Sequence, residues 1–428
     1  MATYVAEKGA RLEQRRHAAE PVLRVALILQ STSLGGMETH VADAAEEFVR
    51  RGLTVIVIVP TAAIYDELAQ RIAHGGAGVY RFNTDGIVGR LSQMRNLLRL
   101  AEIFREWRPD VVHVHTGGAT GGLAALVVSR LLTARATVIT EHDVPPEVPG
   151  LYQRLMRTAM DRFADAVIAV SRRNAKLRAA RIPLPERKLA AVLNGAPTTR
   201  VPVVAERQDN RRRLRAQLSI DSNALVIGSL VRLAEGKGLQ DLVRAFAIVC
   251  RDQPRTLLLV GDGPLRSQLV DLARDLGVAG HVRFAGHQSE ATQFLDAMDV
   301  FVLAVPAGSM SMALLEAMAR GLPSVITYCG PEEPVIDGET GLCAPPTDPA
   351  GLARVLERIS NEPALRSRLG RAAEVHVARH FSVQRVADDL LELYRVCRAS
   401  KVPDRLRASG PDHVWRQQDC CTPAAEQP

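Results

Sequence analysis

Residues 299–321 read DVFVLAVPAGSMSMALLEAMARG, and this segment indicates the architecture of the chain. The apolar run at 300–305 is typical of a buried strand, and the turn at 306–308 leads into a helical pattern. A strand that enters a helix through a Gly/Ser turn leaves backbone N–H groups free where the helix begins, and phosphate binds well there. The segment therefore predicts an α/β unit with a phosphate site at Ser309, Met310 and Ser311.

Glu316 is the one acidic side chain in this otherwise small and apolar helix. A carboxylate there is costly unless it has hydrogen-bond partners. The two adjacent hydroxyls of a ribose are suitable partners, because both can donate to the carboxylate oxygens. A glutamate at the helix edge in contact with water is the alternative, and this segment favours neither interpretation over the other.

Length and composition limit the class of protein. A chain of 428 residues suits two or three domains. Only 4% of the residues are aromatic, and the net charge of +7 suits an anionic ligand or membrane surface but is too diffuse to indicate nucleic acid. Six cysteines without metal-ligand spacing indicate small buried residues in a reducing compartment. With no signal core and no apolar run of ~20 residues, we expect a cytoplasmic protein.

Strand and helix patterns alternate in two parts of similar size. This alternation predicts an α/β fold with two doubly wound parallel-sheet domains, at residues 21–196 and 223–382, that face a deep cleft. A polar linker is expected at 197–222, and its arginines predict a solvated helix face, with an anionic partner as the alternative. A last helix is expected at 383–398, between a disordered lead-in at 1–20 and a disordered tail at 399–428.

Candidate residues in the first part lie where strands end. The aliphatic run 22–29 leads through STSLGGM into a helix, so Gly36 lies where a backbone could approach a ligand closely; a tight turn without ligand is the alternative. The run VVHVH ends at His115, and Glu141-His142-Asp143 follows the next strand. Open α/β sheets bind ligands at this edge, which makes His142 a functional candidate.

Arg232 and Lys237 share one Gly-containing loop, VRLAEGKG, in the second part. Two cations on a loop can neutralise a diphosphate. With the helix start, Glu316 and His142 across the cleft, they predict a site for a nucleoside diphosphate. The chain has no D-x-D triplet, no P-loop motif and no GxSxG motif. No metal is expected, because the two cations and the helix dipole can stabilise a leaving diphosphate.

The motifs taken together resemble the retaining GT-B glycosyltransferases of family 4 (glycosyl transferases group 1). The resemblance covers about residues 22–398 and is carried by LGGMETHV, VVHVHTGG, TEHD, SLVRLAEGKG, LLLVGDGPLR and MSMALLEAMARGLPSVIT. It implies two Rossmann-like domains, with the last helix crossing back to the first. It also implies transfer of a sugar from a nucleotide-sugar to an acceptor hydroxyl with retention, in the synthesis of a cell-surface polysaccharide, glycolipid or glycoside.

The resemblance assigns roles to five of the candidate residues. Arg232 and Lys237 match the pair that binds the donor diphosphate, and Glu316 matches the glutamate that holds the ribose. Gly36 matches the glycine that lets the N-terminal turn approach the donor phosphate and the acceptor. His142 matches the histidine near the transferred sugar. No metal and no separate catalytic base are implied, because the leaving diphosphate helps to take the acceptor proton.

One position departs from the family pattern. Gly308 stands where the family has a glutamate that contacts the donor sugar, and glycine cannot make those hydrogen bonds. The sugar could be one that does not need this contact, or another acid could replace it, with Glu333 favoured over Glu332. A third reading is a silent homologue that acts as a binding partner. A sugar-nucleotide 2-epimerase is a further alternative, disfavoured by the order of the motifs.

The expected partners follow from the same resemblance. They are a nucleotide-sugar donor and a carbohydrate or lipid-linked acceptor, without nucleic acid. The basic helix at 172–181 could rest on anionic lipid at the inner face of a membrane, each cation contributing ~1 kcal/mol. A solvated basic helix is the alternative.

Overall fold

The computed structural model describes residues 22–31, 34–82, 90–117, 122–132, 136–143, 150–250, 254–306, 310–327 and 334–399. The disorder predicted at 1–20 and beyond residue 399 falls outside these residues. Two parallel sheets lie within them, each with helices on both faces. The predicted α/β fold class, with two doubly wound parallel-sheet domains, is confirmed.

The first sheet has seven parallel strands in the order β3-β2-β1-β4-β5-β6-β7. Its central strands β4 and β5 are buried along their whole length, because helices cover both faces of the sheet and leave no side for water. The strands are β1 (Arg24–Gln30), β2 (Thr54–Pro60), β3 (Gly78–Phe82), β4 (Val111–Thr116), β5 (Ala136–Glu141), β6 (Ala166–Ala169) and β7 (Leu189–Ala191). The helices are α1 (Gly36–Arg50), α2 (Asp66–His74), α3 (Arg90–Trp107), α4 (Leu123–Leu132), α5 (Leu151–Phe163) and α6 (Arg172–Arg181).

The second sheet has six parallel strands in the order β10-β9-β8-β11-β12-β13. The segment quoted first forms β11 and the helix α10 that follows it, as its pattern predicts. The strands are β8 (Leu225–Leu230), β9 (Arg255–Val260), β10 (Val282–Gly286), β11 (Val300–Leu303), β12 (Ser324–Ile326) and β13 (Leu342–Cys343). The helices are α7 (Val204–Gln217), α8 (Leu239–Val249), α9 (Arg266–Asp275), α10 (Met312–Ala319), α11 (Pro349–Asn361) and α12 (Pro363–His380).

Helix α7 lies within the segment predicted as a linker, and it packs on the second sheet. Arg211 and Arg215 both donate to the carboxylate of Asp299, at 2.6 and 2.7 Å. Arg212, by contrast, is 77% exposed and pairs only with Asp209 of its own helix. The interpretation of the arginine run as a solvated face is therefore wrong for Arg211 and Arg215. Their partner Asp299 lies more than 80 residues away, so no local pattern could reveal it.

The two connections between the domains run side by side. The N–H of Ala196 donates to the carbonyl of Phe381 at 2.8 Å, and the N–H of Val383 donates to the carbonyl of Ala196 at 3.0 Å. The last helix, α13 (Val383–Arg398), then packs on the first domain. Its side chains Leu390 and Tyr394 join the apolar core beneath α1.

Cys343, at the end of β13, is disulfide-bonded, whereas Cys250 and Cys397 are buried free thiols. The interpretation of the cysteines as small buried residues is therefore correct for two of them and wrong for Cys343. In the described segments no helix combines the length and the apolar character that crossing a bilayer requires.

Candidate active site

The carboxyl ends of the two sheets face each other, and α1 meets α10 there. Gly36 begins α1, and a Cβ on this residue would lie 3.1 Å from Cγ of Met312 on α10. A side chain at position 36 would therefore force the side chain of Met312 to shift by a few tenths of an ångström. The sequence predicts that the backbone at Gly36 approaches another group closely. It does so in this structure, where the group it approaches is Met312 of the second domain.

Glu316 lies on α10, 5% exposed, at this contact between domains. Burial, and to a smaller extent the negative charge of Asp43 on α1, raise the pKa of its carboxyl group to about 7. Asp43 is itself fully buried, and it accepts hydrogen bonds from Arg71 and from Arg200, the latter at 2.9 Å. The alternative of a water-exposed glutamate at the helix edge is therefore wrong.

The start of α10 is held by two hydrogen bonds. The hydroxyl of Ser311 accepts from the backbone N–H of Leu314 at 3.4 Å, so Ser311 is the N-cap of the helix. The amide nitrogen of Asn194, from the first domain, donates to the carbonyl of Met310 at 3.0 Å. Met310 and Ser311 thus lie at the contact between the domains, and phosphate binding by this helix start stays a prediction. Ser309, Gly308, Glu332 and Glu333 lie outside the described residues.

Lys237 and Arg232 occupy the loop between β8 and α8. Arg232 is exposed, and Lys237 is half-buried. Partial burial raises the pKa of Asp143 in the first domain, and the positive charge of Lys237 offsets part of that rise, so the two groups interact across the cleft. Gly238, which follows, has a φ of +64°, and a Cβ there would lie 1.8 Å from the carbonyl oxygen of Ala304. The loop therefore requires glycine at this position.

His142 lies in a cluster of four buried histidines. Its Nε2 lies 3.1 Å from Nδ1 of His115, and its ring centroid is 5.4 Å from that of His40. His113 completes the cluster, with its Nδ1 2.6 Å from the hydroxyl of Tyr394. Burial lowers the pKa of His142 well below its usual value, so the ring is neutral near pH 7. His142 can therefore exchange a hydrogen bond with a sugar but carries no charge.

The two acids that flank His142 have different surroundings. Glu141 is buried in an ion network with Arg157 and Arg178, the latter at 3.0 Å, and Arg178 also binds Asp161 at 2.8 Å. This network holds the end of β5 in place. Asp143 is exposed. Because Arg178 is buried, the basic helix at 172–181 presents fewer cations to a membrane than its sequence suggests.

Three residues of this region were missed by sequence reasoning. Asn194 and Asp43 contact or influence α10 from the first domain, and Glu38 lies buried in the first turn of α1. The sequence VLNG and the acids of α1 were visible, but each acquires a partner only when the domains meet. Of the predicted residues, Gly36, Lys237, Met310, Ser311, Glu316 and His142 lie at the facing edges, while Arg232 is on the same loop as Lys237.

Two family profiles match adjacent parts of the chain. Glycosyltransferase Family 4 matches residues 34–200, and Glycosyl transferases group 1 matches residues 210–376. The chain belongs to this family of GT-B glycosyltransferases.

The relatives by sequence are bacterial glycosyltransferases. The lipopolysaccharide core biosynthesis glycosyltransferase LpsE of Rhizobium meliloti is 39% identical to this chain over 180 residues. The matched region covers 42% of this chain and 52%, about half, of LpsE. LpsD of the same organism is 29% identical over 365 residues, covering 84% of this chain and 95% of LpsD. A glycogen synthase of Mycobacterium tuberculosis is 29% identical over 392 residues, covering 84% of this chain and 91% of that synthase.

Solved structures share the fold at low identity. A glycosyltransferase from Rickettsia africae superposes with a TM-score of 0.74 at 16% identity, over 88% of this chain and 99% of that one. HepE of Anabaena in complex with UDP-glucose superposes with a TM-score of 0.70 at 21% identity, over 86% of this chain and 98% of that one. At these identities the likeness concerns the fold alone.

Proposed function

We propose that this chain transfers a sugar from a nucleoside diphosphate sugar to an acceptor hydroxyl, with retention at the anomeric carbon. The observation that carries the proposal is the burial of Glu316 between the domains, at the cleft across which the charge of Lys237 acts on Asp143. A buried carboxylate suits the two hydroxyls of a ribose, and a nearby ammonium suits the diphosphate. A relative of the same fold is complexed with UDP-glucose.

The proposed chemistry needs little from the protein beyond position and charge. The bond between the anomeric carbon and the diphosphate oxygen breaks, and the acceptor oxygen bonds to the same face of the carbon. Arg232, Lys237 and the start of α10 would stabilise the charge of the leaving diphosphate, which takes the acceptor proton. Neutral His142 would hydrogen-bond the transferred sugar. No metal or other cofactor is invoked.

The biological role proposed is synthesis of a cell-surface polysaccharide, glycolipid or glycoside. The names of LpsE and LpsD support a role in lipopolysaccharide core synthesis. The acceptor would then be a carbohydrate, free or attached to a lipid. The protein would work in the cytoplasm, at the inner face of a membrane where the acceptor is lipid-linked.

Turnover of a panel of UDP-, GDP- and ADP-sugars tests the activity. We expect release of one nucleoside diphosphate, with retention of configuration in the product. Glu316→Gln and Lys237→Ala should each weaken binding of that nucleotide by roughly tenfold or more, because each removes a contact of a charged group. Arg244→Ala, on the exposed face of α8, is the matched control and should bind normally. No turnover of any donor would refute the proposal.

The alternative of a silent homologue rests on Gly308. If Gly308 abolishes catalysis, Gly308→Glu should create or greatly increase turnover of the donor that the wild type binds. If the site is adapted to glycine, the added side chain should leave turnover unchanged or reduce it. Identification of the product separates transfer from epimerisation, because an epimerase releases an epimer without any acceptor.

A further inference from the structure

Glu38 is a buried carboxylate with one oxygen that has no partner. It lies in the first turn of α1 and is 3% exposed. The carboxylate accepts hydrogen bonds from the Ser31 hydroxyl and from the backbone N–H of Gly35, which caps the helix. Within the described part of the chain, Oε1 makes no hydrogen bond. Capping therefore explains one oxygen of Glu38 and leaves the other unexplained.

Asp143 provides a second carboxylate beside Glu38. Oδ2 of Asp143 and Cε of Met37, the residue before Glu38, lie 3.4 and 3.9 Å from the position that a Cβ on Gly117 would occupy, so Asp143 lies beside the first turn of α1. Burial raises the pKa of Glu38, and the negative charge of Asp143 adds to that rise. Lys237 acts on Asp143 from the second domain. Asp143 therefore lies between Glu38 in the first domain and Lys237 at the predicted diphosphate site.

We infer that Glu38 and Asp143 form the acceptor subsite, and that the group they bind is an uncharged carbohydrate hydroxyl. This inference rests on the proposed function and adds the class of acceptor to it. Both side chains offer oxygens that accept hydrogen bonds, and hydroxyl groups are donors of matching chemistry. A phosphate or carboxylate on the acceptor would be repelled by the two neighbouring carboxylates.

The position of Glu38 and Asp143 relative to the donor site agrees with a role in acceptor binding. Glu38 is two residues from Gly36, where the first domain touches α10, and Asp143 follows His142 directly. An acceptor hydroxyl bound to these carboxylates would approach from the first domain while the diphosphate is bound to the second. Burial raises the pKa of the Glu38 carboxyl group, and a hydroxyl donor would offset part of that cost.

The test compares uncharged and anionic acceptors with the donor that the wild type turns over. The acceptors are the methyl glycosides of glucose, galactose and mannose, and the 6-phosphates of the same sugars. The variants are Glu38→Gln, which keeps an oxygen for the helix cap, and Asp143→Asn. Glu67→Gln is the matched control, because Glu67 is an exposed acid in the first turn of α2.

We expect the wild type to transfer to at least one methyl glycoside and poorly to the sugar phosphates. Glu38→Gln should raise KM for that glycoside roughly tenfold, the effect of losing one hydrogen bond to a charged group, while KM for the donor changes little. Asp143→Asn should raise KM for the methyl glycoside and lower it for the corresponding sugar phosphate. Glu67→Gln should match the wild type.

Several results would overturn the inference. Unchanged acceptor KM in Glu38→Gln and Asp143→Asn would mean that Oε1 binds only an ordered water. A loss of thermal stability with equal changes in the donor and acceptor KM would mean that Glu38 only caps the helix. Sugar phosphates accepted as well as methyl glycosides, or donor hydrolysis without transfer to any glycoside, would also exclude it. Absence of any donor turnover would instead refute the proposed function.

Discussion

Glu316 combines a candidate binding role with a cost to stability. Its carboxyl group has an ordinary pKa of 4.5 when exposed and a pKa of about 7 in the folded chain, chiefly because it is buried. Between pH 4.5 and about pH 7, the folded state therefore holds a proton that the unfolded state has released. As pH rises through this window, the stability of the folded state falls, and the loss is complete above pH 7.

Replacing Glu316 by glutamine should therefore stabilise the free protein at alkaline pH. Each unit of pKa shift corresponds to about 1.4 kcal/mol, so the gain at pH 8 is on the order of 3 kcal/mol, and it should fall below about 1 kcal/mol at pH 5. Thermal unfolding at the two pH values measures it. Glu67→Gln is the control, because that side chain is exposed. An equal effect of Glu316→Gln at pH 5 and pH 8 would contradict the assigned burial.

Helix α13 is the element that ties the end of the chain to the first domain. Tyr394 is fully buried, and its hydroxyl lies 2.6 Å from Nδ1 of His113 on β4. Nε2 of His113 lies 2.7 Å from the hydroxyl of Thr140 on β5. The ring of His113 is thus fixed between a helix and a neighbouring strand, and it packs against the ring of His115 at 4.0 Å.

Tyr394→Phe should loosen this contact without changing the shape of the core. The substitution leaves Nδ1 of His113 buried without a partner, which costs about 1–3 kcal/mol. We expect a lower midpoint of unfolding in urea. Tyr152→Phe is the matched control, because Tyr152 is 66% exposed and should leave the midpoint unchanged. If the two variants had the same midpoint, the bond between Tyr394 and His113 would not contribute to stability.

Across the whole chain, the domains are joined where Ala196 pairs with Ser382. Gly195 precedes this contact, and a Cβ there would lie 2.6 Å from the carbonyl oxygen of Ser382 and 2.7 Å from Cγ2 of Val386. The two connections can therefore lie side by side because position 195 has no side chain. Beyond them, Asp43 and Glu316 interact from opposite domains.

Gly195→Ala should separate the two connections and change how the domains meet. Overpacking of this kind typically costs about 1–3 kcal/mol. We expect a lower thermal midpoint, a larger radius of gyration in solution scattering, and weaker binding of the donor nucleotide. Gly280→Ala is the matched control, because a Cβ there would have no atom within 4 Å. An unchanged radius of gyration and unchanged nucleotide binding would show that the connections tolerate a side chain.

Much of the fold could be read from local patterns. Aliphatic runs such as residues 22–29 indicate strands buried on both faces, and each is followed by a turn and an amphipathic helix. Two elements were missed, α2 and the strand β7, and α7 was predicted only as a solvated helix face within a linker. β7 has only three residues, too few for a periodicity, and α7 shows no apolar stripe because charged side chains make its contacts.

Residues 22–398 thus contained enough local information for the two sheets, the family, and the candidates Gly36, His142, Arg232, Lys237 and Glu316. Local patterns suffice for these because strand and helix periodicity and short loop motifs involve neighbours along the chain. The partners of buried charges did not follow in the same way. Only the tertiary structure shows that Glu141 pairs with Arg178, that Asp43 lies near Glu316, and that one oxygen of Glu38 is free. Electrostatic interactions act through space, and these groups approach one another only after distant segments have packed together.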